Sequence, residues 1–406
     1  MTKIFAGRSR MTENAKSYTL DTIISNSFNH LRIKITGEMG RCLYANRDFK
    51  VGEVVLMEMA YLASSGTDLH ACIGILLQNP GIETQLDLFD ALGTDNLAEF
   101  PKIEKEVNEL YKRLESKVDF DFLTHLVSAF RKNGHGIKNN KFGLFVIGSK
   151  AAHSCAPNVC ATGSNEDQIQ FIAVKPIKKG DLITYPYYLD SPKLALPRDI
   201  RQALLITQDI GFKCVCVRCL GSDEVRMFRC IQSNCCGNMS LRYNDDVFRC
   251  DTCKSVTTSD ELPLEFEQAM SNKVMVFELS SESWKSDEII DFLGLCTDRI
   301  GPDHWAVFLL EMAVLKMIIK GTLIISKNKQ NCIIKHFVEW LDTYMYPVCP
   351  VAVCDMLHII VKGGLIDLQT IANVSLMSKS LPILEFVYGA NSKHVALWRA
   401  VLLANK

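Results

Sequence analysis

The sequence predicts an α+β protein built in three parts, and three observations predict it. Short apolar segments that alternate with period two fill much of the first half of the chain, which indicates strands. Eight of the 16 cysteines fall between residues 214 and 253, which indicates metal binding. Long amphipathic segments follow from about residue 261 to the C-terminus, which indicates helices.

Composition limits the class of protein. The 406 residues carry 45 Lys and Arg against 46 Asp and Glu, a net charge of −1, which disfavours a broadly basic nucleic-acid binder. The N-terminus lacks an apolar segment of signal-peptide length, and the longest apolar stretch, Trp305–Ile319, is interrupted by Glu311 and Lys316. We therefore expect a soluble, monomeric, intracellular protein, cytoplasmic or nuclear or both, with reduced cysteines and no membrane partner.

The first half of the chain alternates between strand and helix patterns. Residues 1–30 are polar without a clear period, which predicts an N-terminal extension. Strands are predicted at 31–36, 41–45 and 49–58, with turns at Gly37 and Gly40. Residues 68–131 are predicted to be mainly helical, because apolar residues recur at three-to-four spacing from Val107 and again from Phe122. Strand patterns return at 142–148, 168–174 and 180–188.

The cysteine-rich block contains two separate metal-binding patterns. Cys214, Cys216 and Cys219 supply three soft ligands, and tetrahedral zinc needs a fourth. Cys230-x4-Cys235 and Cys250-x2-Cys253 form the two-knuckle pattern of a zinc ribbon. Spacing alone does not rank Cys236 against Cys235 as the ribbon ligand. A group of buried thiols without metal is the alternative, which the density and pairing of these cysteines disfavour.

Three further motifs follow one another along the chain. They are His153-Ser-Cys155-x-Pro157-Asn158, then Gly180-Asp-Leu-Ile-Thr-x-x-Tyr187, then Phe212-x-Cys214-x-Cys216-x2-Cys219. In this order they resemble the SET domain with its post-SET zinc segment, from about Leu31 to Cys219. The helical insert and helical C-terminus most resemble the SET and MYND domain (SMYD) family of protein methyltransferases. Gly40-Arg41-Cys42-Leu43 and 52–55 resemble the family's first cofactor loop and its adjoining strand.

The resemblance implies a division of the chain. It implies an N-terminal extension (1–30), a strand-rich SET domain (31–212) with a helical insert (about 62–131), a post-SET zinc segment and zinc ribbon (213–258), and an all-helical, tetratricopeptide-like C-terminal domain (259–406). It also implies that Cys155 is the fourth ligand that joins Cys214, Cys216 and Cys219 on one zinc ion. The insert offers only His70, Cys72 and His125 as zinc ligands, so we expect the MYND module to be absent.

The activity implied by the resemblance is methyl transfer from S-adenosylmethionine to a lysine side chain of a protein substrate, histone or non-histone. The amine, methyl carbon and sulfur must lie in line, and the lysine must be neutral, which desolvation favours. Tyr187 takes the position of the catalytic tyrosine. The implied cofactor-binding residues are Gly40, Arg41, Asn133, Ser149, His153 and Phe212. The expected partner is a lysine-bearing peptide, with no direct nucleic-acid binding.

Three positions depart from the family pattern. Ala152 replaces the asparagine before the histidine, Cys42 replaces a glycine of the first loop, and Ile210 replaces a tyrosine of the lysine channel. Each lost hydrogen bond is worth about 0.5–1.5 kcal/mol, so cofactor affinity would fall. These departures favour an alternative, a catalytically silent SET-fold scaffold that binds protein partners through its zinc and helical modules. A zinc-ribbon nucleic-acid binder is disfavoured because acidic residues offset the basic ones around the ribbon.

The retained residues also have structural interpretations. Tyr187 alone would be a half-buried strand tyrosine beside Tyr185, Phe212 an ordinary core aromatic, and His153 a structural histidine next to zinc. The surrounding motifs favour the functional interpretation. The sequence therefore predicts a protein-lysine N-methyltransferase that uses S-adenosylmethionine and zinc.

Overall fold

A computed structural model describes most of the chain, namely residues 11, 13–37, 39–65, 74, 86–115, 117–137, 141–163, 167–187, 191–207, 212–279, 286–366 and 371–404. Three residues discussed above, His70, Cys72 and Ile210, lie outside the described residues. Contacts divide the chain into two compact units. The first comprises Met1–His153, Pro157–Tyr185 and Leu205–Lys213, and the second comprises Ser154–Ala156, Pro186–Leu204 and Cys214–Lys406.

The first unit contains all the strands up to residue 185. They are β1 (Leu31–Thr36), β2 (Gly40–Ala45), β3 (Val54–Met59), β4 (Leu62–Ser65), β5 (Gly134–Ile137), β6 (Lys141–Leu144), β7 (Ala152–His153), β8 (Val159–Thr162), β9 (Gln168–Ala173) and β10 (Thr184–Tyr185). β1 and β2 form an antiparallel hairpin, and two antiparallel three-stranded sheets have the orders β3-β9-β8 and β4-β6-β5. β7 and β10 pair in parallel.

Helices in the first unit pack against these small sheets. α1 (Glu13–Ser27), a 3₁₀ turn (Thr94–Glu99), α2 (Pro101–Arg113) and α3 (Phe120–Asn133) are described. α2 buries Val107 and Leu110, and α3 begins where the Asp119 carboxylate accepts the N–H of Phe122 at 3.0 Å. Both helices fall in the region expected to be a helical insert.

The N-terminal segment is more ordered than its polarity suggested. Residues 13–27 form α1, and Leu20 and Ile24 on this helix are buried in the core of the first unit. These residues are one helical turn apart and so share a face, and so short a stripe is not visible from composition alone.

The second unit combines the cysteine-rich block with the C-terminal helices. Its four strands, β11 (Phe228–Arg229), β12 (Asn238–Leu241), β13 (Phe248–Cys250) and β14 (Val256–Thr257), pair antiparallel in chain order. The remaining helices are α4 (Ser191–Leu194), α5 (Arg198–Leu205), α6 (Val217–Leu220), α7 (Leu264–Leu279), α8 (Ser286–Ile300), α9 (Trp305–Ile319), α10 (Lys327–Trp340), α11 (Pro350–Lys362), α12 (Ile371–Tyr388) and α13 (Lys393–Leu403).

The fold confirms the predicted mixture of strands and helices. The helices predicted beyond about residue 261 correspond to α7 to α13. α9 begins at a cap in which Nδ1 of His304 accepts the N–H of Ala306 at 3.3 Å. The tetratricopeptide-like arrangement stays a prediction. No helix of the described residues combines the length and apolarity needed to span a membrane.

Candidate functional site

Gly40 and Arg41, the first two residues of β2, line a cavity of the first unit. Gly40 has φ +68°, a conformation that favours glycine, and it pairs with Thr36 where the hairpin turns. The cavity has a volume of about 260 Å³, and Asp90, Phe89 and Lys132 also line it. We call it the Arg41 cavity.

Arg41 is held by an ion pair at the wall of this cavity. Its guanidinium donates to the Asp90 carboxylate at 2.6 Å, and the Arg41 side chain is 7% exposed whereas that of Asp90 is 53% exposed. Asn133 fixes the backbone of the same residue, because its amide donates to the Asp90 carbonyl at 2.7 Å and to the Ala129 carbonyl at 2.9 Å. Both N–H groups of the Asn133 amide are thus used within the protein, so its link to the cavity runs through Asp90.

The turn that carries Ser149 depends on a carboxylate that sequence reasoning missed. Glu58 on β3 accepts the N–H of Ile147 at 3.0 Å and that of Gly148 at 2.8 Å. A Cβ on Gly148 would lie 3.4 Å from the Glu58 carboxylate and 3.2 Å from Phe145, so this close approach favours glycine. Burial raises the pKa of Glu58 to about 7, although the backbone N–H groups favour its ionised form.

His153 lies on β7, where the parallel pairing with β10 aligns it with Tyr185. The His153 and Phe212 ring centroids are 5.5 Å apart with an interplanar angle of 60°, so two predicted cofactor residues are in ring contact. His153 is buried and Phe212 is half-buried. Tyr185 in turn stacks on His135 at 5.1 Å and 26°. Two ring contacts, Phe212 with His153 and Tyr185 with His135, thus involve residues of the paired strands β7 and β10.

Tyr187, the predicted catalytic residue, belongs to the second unit, two residues after β10 ends. Ala152 precedes His153 on β7 and is 7% exposed. Cys42 lies on β2 with a buried thiol 3.6 Å from the Met39 carbonyl, and it is not among the described residues with positive φ. The Cys42 side chain, which replaces a glycine of the family pattern, is therefore accommodated without backbone strain.

The second unit assembles four cysteines that are distant in sequence. The Sγ atoms of Cys155, Cys214, Cys216 and Cys219 all lie within 4.8 Å of one another, and those of Cys155 and Cys219 are 3.6 Å apart. Tetrahedral zinc with Zn–S bonds of about 2.3 Å requires sulfurs about 3.8 Å apart, whereas a disulfide requires about 2.05 Å. These four thiols, which we call the Cys155 cluster, fit a zinc ion.

Neighbouring side chains support the Cys155 cluster. Gln202 clamps the backbone of Cys214, donating to its carbonyl at 2.7 Å and accepting its N–H at 2.8 Å. Arg201 is buried, with its guanidinium 3.9 Å from Sγ of Cys219, and buried Arg218 is anchored on the Leu194 carbonyl at 2.7 Å. Zinc with four thiolates carries a net charge of −2, which the buried Arg201 guanidinium beside Cys219 partly offsets.

The ribbon cysteines form a second group, which we call the ribbon cluster. It comprises Cys230, Cys235, Cys250 and Cys253, while Cys236 is exposed outside it. The Cys230–Cys253 and Cys235–Cys250 sulfurs are each 3.6 Å apart, which again fits tetrahedral zinc. The N–H of Gly237 points at the Cys235 sulfur at 3.3 Å, and a Cβ at Gly237 would lie 2.5 Å from the Asp251 carboxylate. Glycine at 237 therefore allows the turn after Cys235 to pack against Asp251.

A buried ionic network in the second unit also escaped sequence reasoning. Glu267 on α7 accepts two hydrogen bonds from Arg226, at 2.8 and 2.7 Å, and one from Nε2 of His304 at 3.1 Å. Asn238 of β12 donates to Asp303 at 2.8 Å. The ribbon is therefore fastened to α7 and to the start of α9. The sequence signal was the Gly-Pro-Asp-His turn before α9, because Glu267 is one of three glutamates in α7.

Part of the chain matches a known family of domains. Residues 40–188 match the SET domain. A SET domain-containing protein of Acanthamoeba polyphaga mimivirus is 28% identical over 145 residues, which cover 36% of this chain and 54% of that protein. The histone-lysine N-methyltransferase set5 of Schizosaccharomyces pombe is 32% identical over 159 residues, which cover 38% of this chain and 45% of that protein. The chain thus spans about half the length of the curated relatives that it matches.

The SET domain of LSMT bound to lysine and AdoHcy aligns over 93% of both chains at 12% identity, with a TM-score of 0.36. The residues that match the SET domain, 40–188, include Tyr187 and the predicted motifs around His153 and Gly180. The chain therefore contains a SET domain at residues 40–188 and is related through it to lysine methyltransferases.

Proposed function

We propose that this protein is a protein-lysine N-methyltransferase that uses S-adenosylmethionine. The observation that carries the proposal is the SET domain match over residues 40–188, which contains every predicted cofactor and catalytic residue except Phe212. The name of its yeast relative, a histone-lysine N-methyltransferase, supports the same reaction. The SMYD type, without the MYND module, is the subfamily that the motif order and helical C-terminus favour.

Two features of the first unit fit the cofactor. The ring contact between His153 and half-buried Phe212 offers an aromatic surface on which adenine can stack. Gly40 has no Cβ and has a positive φ, so its backbone beside the Arg41 cavity is open to a polar ligand. We therefore assign Gly40, Arg41, Ser149, His153 and Phe212 to cofactor binding, with Asn133 supporting the wall through Asp90.

When bound, S-adenosylmethionine supplies an electrophilic methyl group on a sulfonium. In the proposed reaction Tyr187 orients the substrate amine through its hydroxyl group. The protein environment removes water from the lysine, which lowers its pKa and leaves the neutral amine that can attack. Holding the reactants in line supplies much of the rate enhancement, because orientation alone can be worth several kcal/mol, roughly 7–11 at best.

The two cysteine clusters are assigned to structural zinc. Each offers four thiols in closed tetrahedral sets, which leaves no ligand position for water or substrate. In the proposal, the Cys155 cluster ties the segment after His153 to the segment that follows Phe212. Zinc therefore stabilises the enzyme and takes no part in methyl transfer.

Calorimetric titration of zinc-loaded protein with S-adenosylmethionine tests the proposal. We expect saturable binding that weakens about 5- to 150-fold in Phe212→Ala, since stacking on an aromatic ring is worth about 1–3 kcal/mol. Phe142→Ala is the matched control, because Phe142 is an exposed aromatic residue of the same unit. Tyr187→Phe should retain binding and lose methylation of protein lysines.

The opposite results distinguish the alternative. Absence of binding by a folded, zinc-loaded protein would contradict the enzyme and favour the silent scaffold suggested by Ala152 and Cys42. Binding that Phe212→Ala leaves intact would contradict the assigned cofactor residues.

A further inference from the structure

Two helices of the second unit meet at a pair of histidines, His358 on α11 and His394 on α13. Nε2 of His358 lies 2.8 Å from Nδ1 of His394, and the two ring centroids are 4.3 Å apart. The indole N–H of Trp398, one turn after His394, donates to Nδ1 of His358 at 3.2 Å. Trp398 is buried, His358 is half-buried and His394 is exposed. These three side chains form a hydrogen-bonded row, which we call the histidine latch.

The donors and acceptors of the histidine latch fix the positions of its protons. The indole N–H of Trp398 can only donate, so Nδ1 of His358 carries no proton. Neutral His358 then has its proton on Nε2 and donates it to Nδ1 of His394, whose own proton is on Nε2. Both hydrogen bonds are therefore made when both imidazoles are neutral.

One additional proton removes a hydrogen bond from the histidine latch. If His394 is protonated, its Nδ1–H faces the Nε2–H of His358 across 2.8 Å. If His358 moves its proton to Nδ1 instead, that N–H faces the indole N–H of Trp398 across 3.2 Å. Protonation of His358 itself places the same two donors against each other. No closed arrangement with one more proton keeps both hydrogen bonds.

The same proton count disfavours a metal ion between the two rings. A metal ion on Nε2 of His358 would leave both nitrogens of that imidazole without a proton, because Nδ1 already accepts the indole N–H. Metal-binding histidines are neutral imidazoles whose second nitrogen donates a hydrogen bond. Among the residues that the structure describes, no third ligand completes a metal-binding group with this pair. The pair therefore fits a hydrogen bond rather than a metal ion.

Three helices contribute charged or titratable groups around the histidine latch. On α11, Asp355 and Lys362 lie one turn before and one turn after His358. The Asp355 carboxylate accepts hydrogen bonds from the hydroxyl groups of Ser191 and Tyr388, so it is already engaged. The groups on the other two helices are Tyr388, whose ring lies 5.2 Å from that of His394, and Glu385 on α12, with Lys393 and Arg399 on α13.

These surroundings favour the neutral form of His358. Burial is the main cause that lowers the pKa of His358, and positive charge on His394 and Lys362 lowers it further, while Asp355 raises it. A folded-state pKa below the ordinary value means that the closed latch binds fewer protons than the open one. Its contribution to stability is therefore complete above about pH 6.5 and is lost as the pH falls below that value.

We propose that the histidine latch is a pH-sensitive device, which holds α13 on α11 at neutral pH and releases α13 when one of the two histidines takes up a proton. Histidine suits this role because its charge ordinarily changes between pH 5 and 8. The inference goes beyond the proposed function and does not rest on it, because none of the three latch residues is among the predicted catalytic, cofactor-binding or metal-binding residues.

Hydrogen–deuterium exchange of the full chain, followed by mass spectrometry of peptides from α13, tests the proposal. Exchange is measured in a series from pH 7.5 to 5.0, with labelling times scaled to the intrinsic exchange rate at each pH. In the wild-type protein we expect exchange in α13 to become about tenfold or more faster over this range, because each lost hydrogen bond leaves buried donors unpaired. Equal scaled exchange at all pH values would overturn the proposal.

A double variant, His358→Asn with His394→Asn, removes both titratable groups and keeps polar side chains at both positions. We expect exchange in α13 of this variant to be independent of pH. Arg399→Gln is the matched control, because Arg399 also holds α13, through an ion pair with Glu385 at 2.6 Å. It should speed exchange by the same factor at every pH. A double variant with the pH dependence of the wild-type protein would overturn the proposal.

Trp398→Phe tests the proton count directly and does not depend on the double variant folding. Without the indole N–H, His358 can hold its proton on Nδ1 and accept a hydrogen bond from protonated His394, so the latch tolerates one additional proton. We expect the midpoint of the pH-dependent exchange to move to lower pH in this variant, whatever its overall stability. A midpoint equal to that of the wild-type protein would contradict the assigned hydrogen bonds and overturn the proposal.

Discussion

The buried carboxylate of Glu267 offers the sharpest stability prediction, because its partners are all defined. Its side chain is 7% exposed and accepts hydrogen bonds from Arg226, from His304 and, at 3.4 Å, from the Trp305 indole. Glu267→Gln keeps the shape of the side chain and removes its charge. The Arg226 guanidinium, 20% exposed, then loses the carboxylate that it contacts at 2.7 Å.

Two independent routes give the magnitude of this loss. Burial alone would raise the pKa of Glu267, but hydrogen bonds from His304 and Arg226 outweigh it and lower the pKa to about 2 from 4.5. At about 1.4 kcal/mol per pKa unit, this shift corresponds to roughly 3 kcal/mol of stability at neutral pH. Removing one partner of a buried ion pair costs about 3–5 kcal/mol in other proteins. We therefore expect Glu267→Gln to lower the free energy of unfolding by roughly 3 kcal/mol.

Urea unfolding at pH 7, followed by tryptophan fluorescence, measures this change. All four tryptophans, at 284, 305, 340 and 398, belong to the second unit, so the signal reports on the unit that contains Glu267. Glu265→Gln is the matched control, since Glu265 is exposed on the same helix. A loss below about 1 kcal/mol relative to this control would refute the reasoning.

The direction of the pH dependence is also fixed. The folded-state pKa of Glu267 is depressed, so its contribution is present above about pH 4.5 and is lost as the pH falls towards 2. Glu267→Gln should lack this component of acid destabilisation, and Glu265→Gln should retain it.

Two further predictions concern zinc and the first unit. Cys214→Ser should lower the zinc content from two ions to one per chain and weaken S-adenosylmethionine binding. Cys160→Ser, which lies outside both clusters, should change neither zinc content nor cofactor binding. Normal zinc content in Cys214→Ser, measured by atomic emission, would contradict the assignment. The raised pKa of Glu58 predicts that stability falls by up to roughly 3 kcal/mol as the pH rises from about 4.5 through 7, because the folded state favours the protonated carboxyl. Glu58→Gln should remove this decline in calorimetric melting temperatures between pH 5 and 8, and an unchanged pH slope would show that another group causes it.

Local sequence patterns predicted much of the fold. The period-two segments at 31–36 and 168–174 contain β1 and β9, and three-to-four spacing predicted α2 and α3. These patterns succeed because a strand or helix must place its apolar residues on one face, whatever it packs against. α1 was missed because only Leu20 and Ile24 mark its buried face, and short stripes are visible only once the core is known.

The candidate site divides in the same way. The spacing of Cys214, Cys216 and Cys219 predicted three ligands of one site, the family resemblance implied Cys155 as the fourth, and the fold places its sulfur beside theirs. Glu58 and Lys150 carried weak signals, each being a charged residue in an apolar segment. Neither signal identifies the group that the charged side chain contacts, because that group comes from a distant part of the chain.

The sequence by itself determined the class of the protein, the order of its motifs and the two sets of cysteines, because these depend on residue type and on spacing within a few residues. The tertiary structure decided which of Cys235 and Cys236 joins the ribbon cluster, how Asn133 and Arg41 meet at Asp90, and that Lys150 is buried beside the Arg41 cavity. Those facts depend on contacts between residues far apart in the chain. Burial then sets the electrostatic cost of each charge, and local sequence does not specify burial.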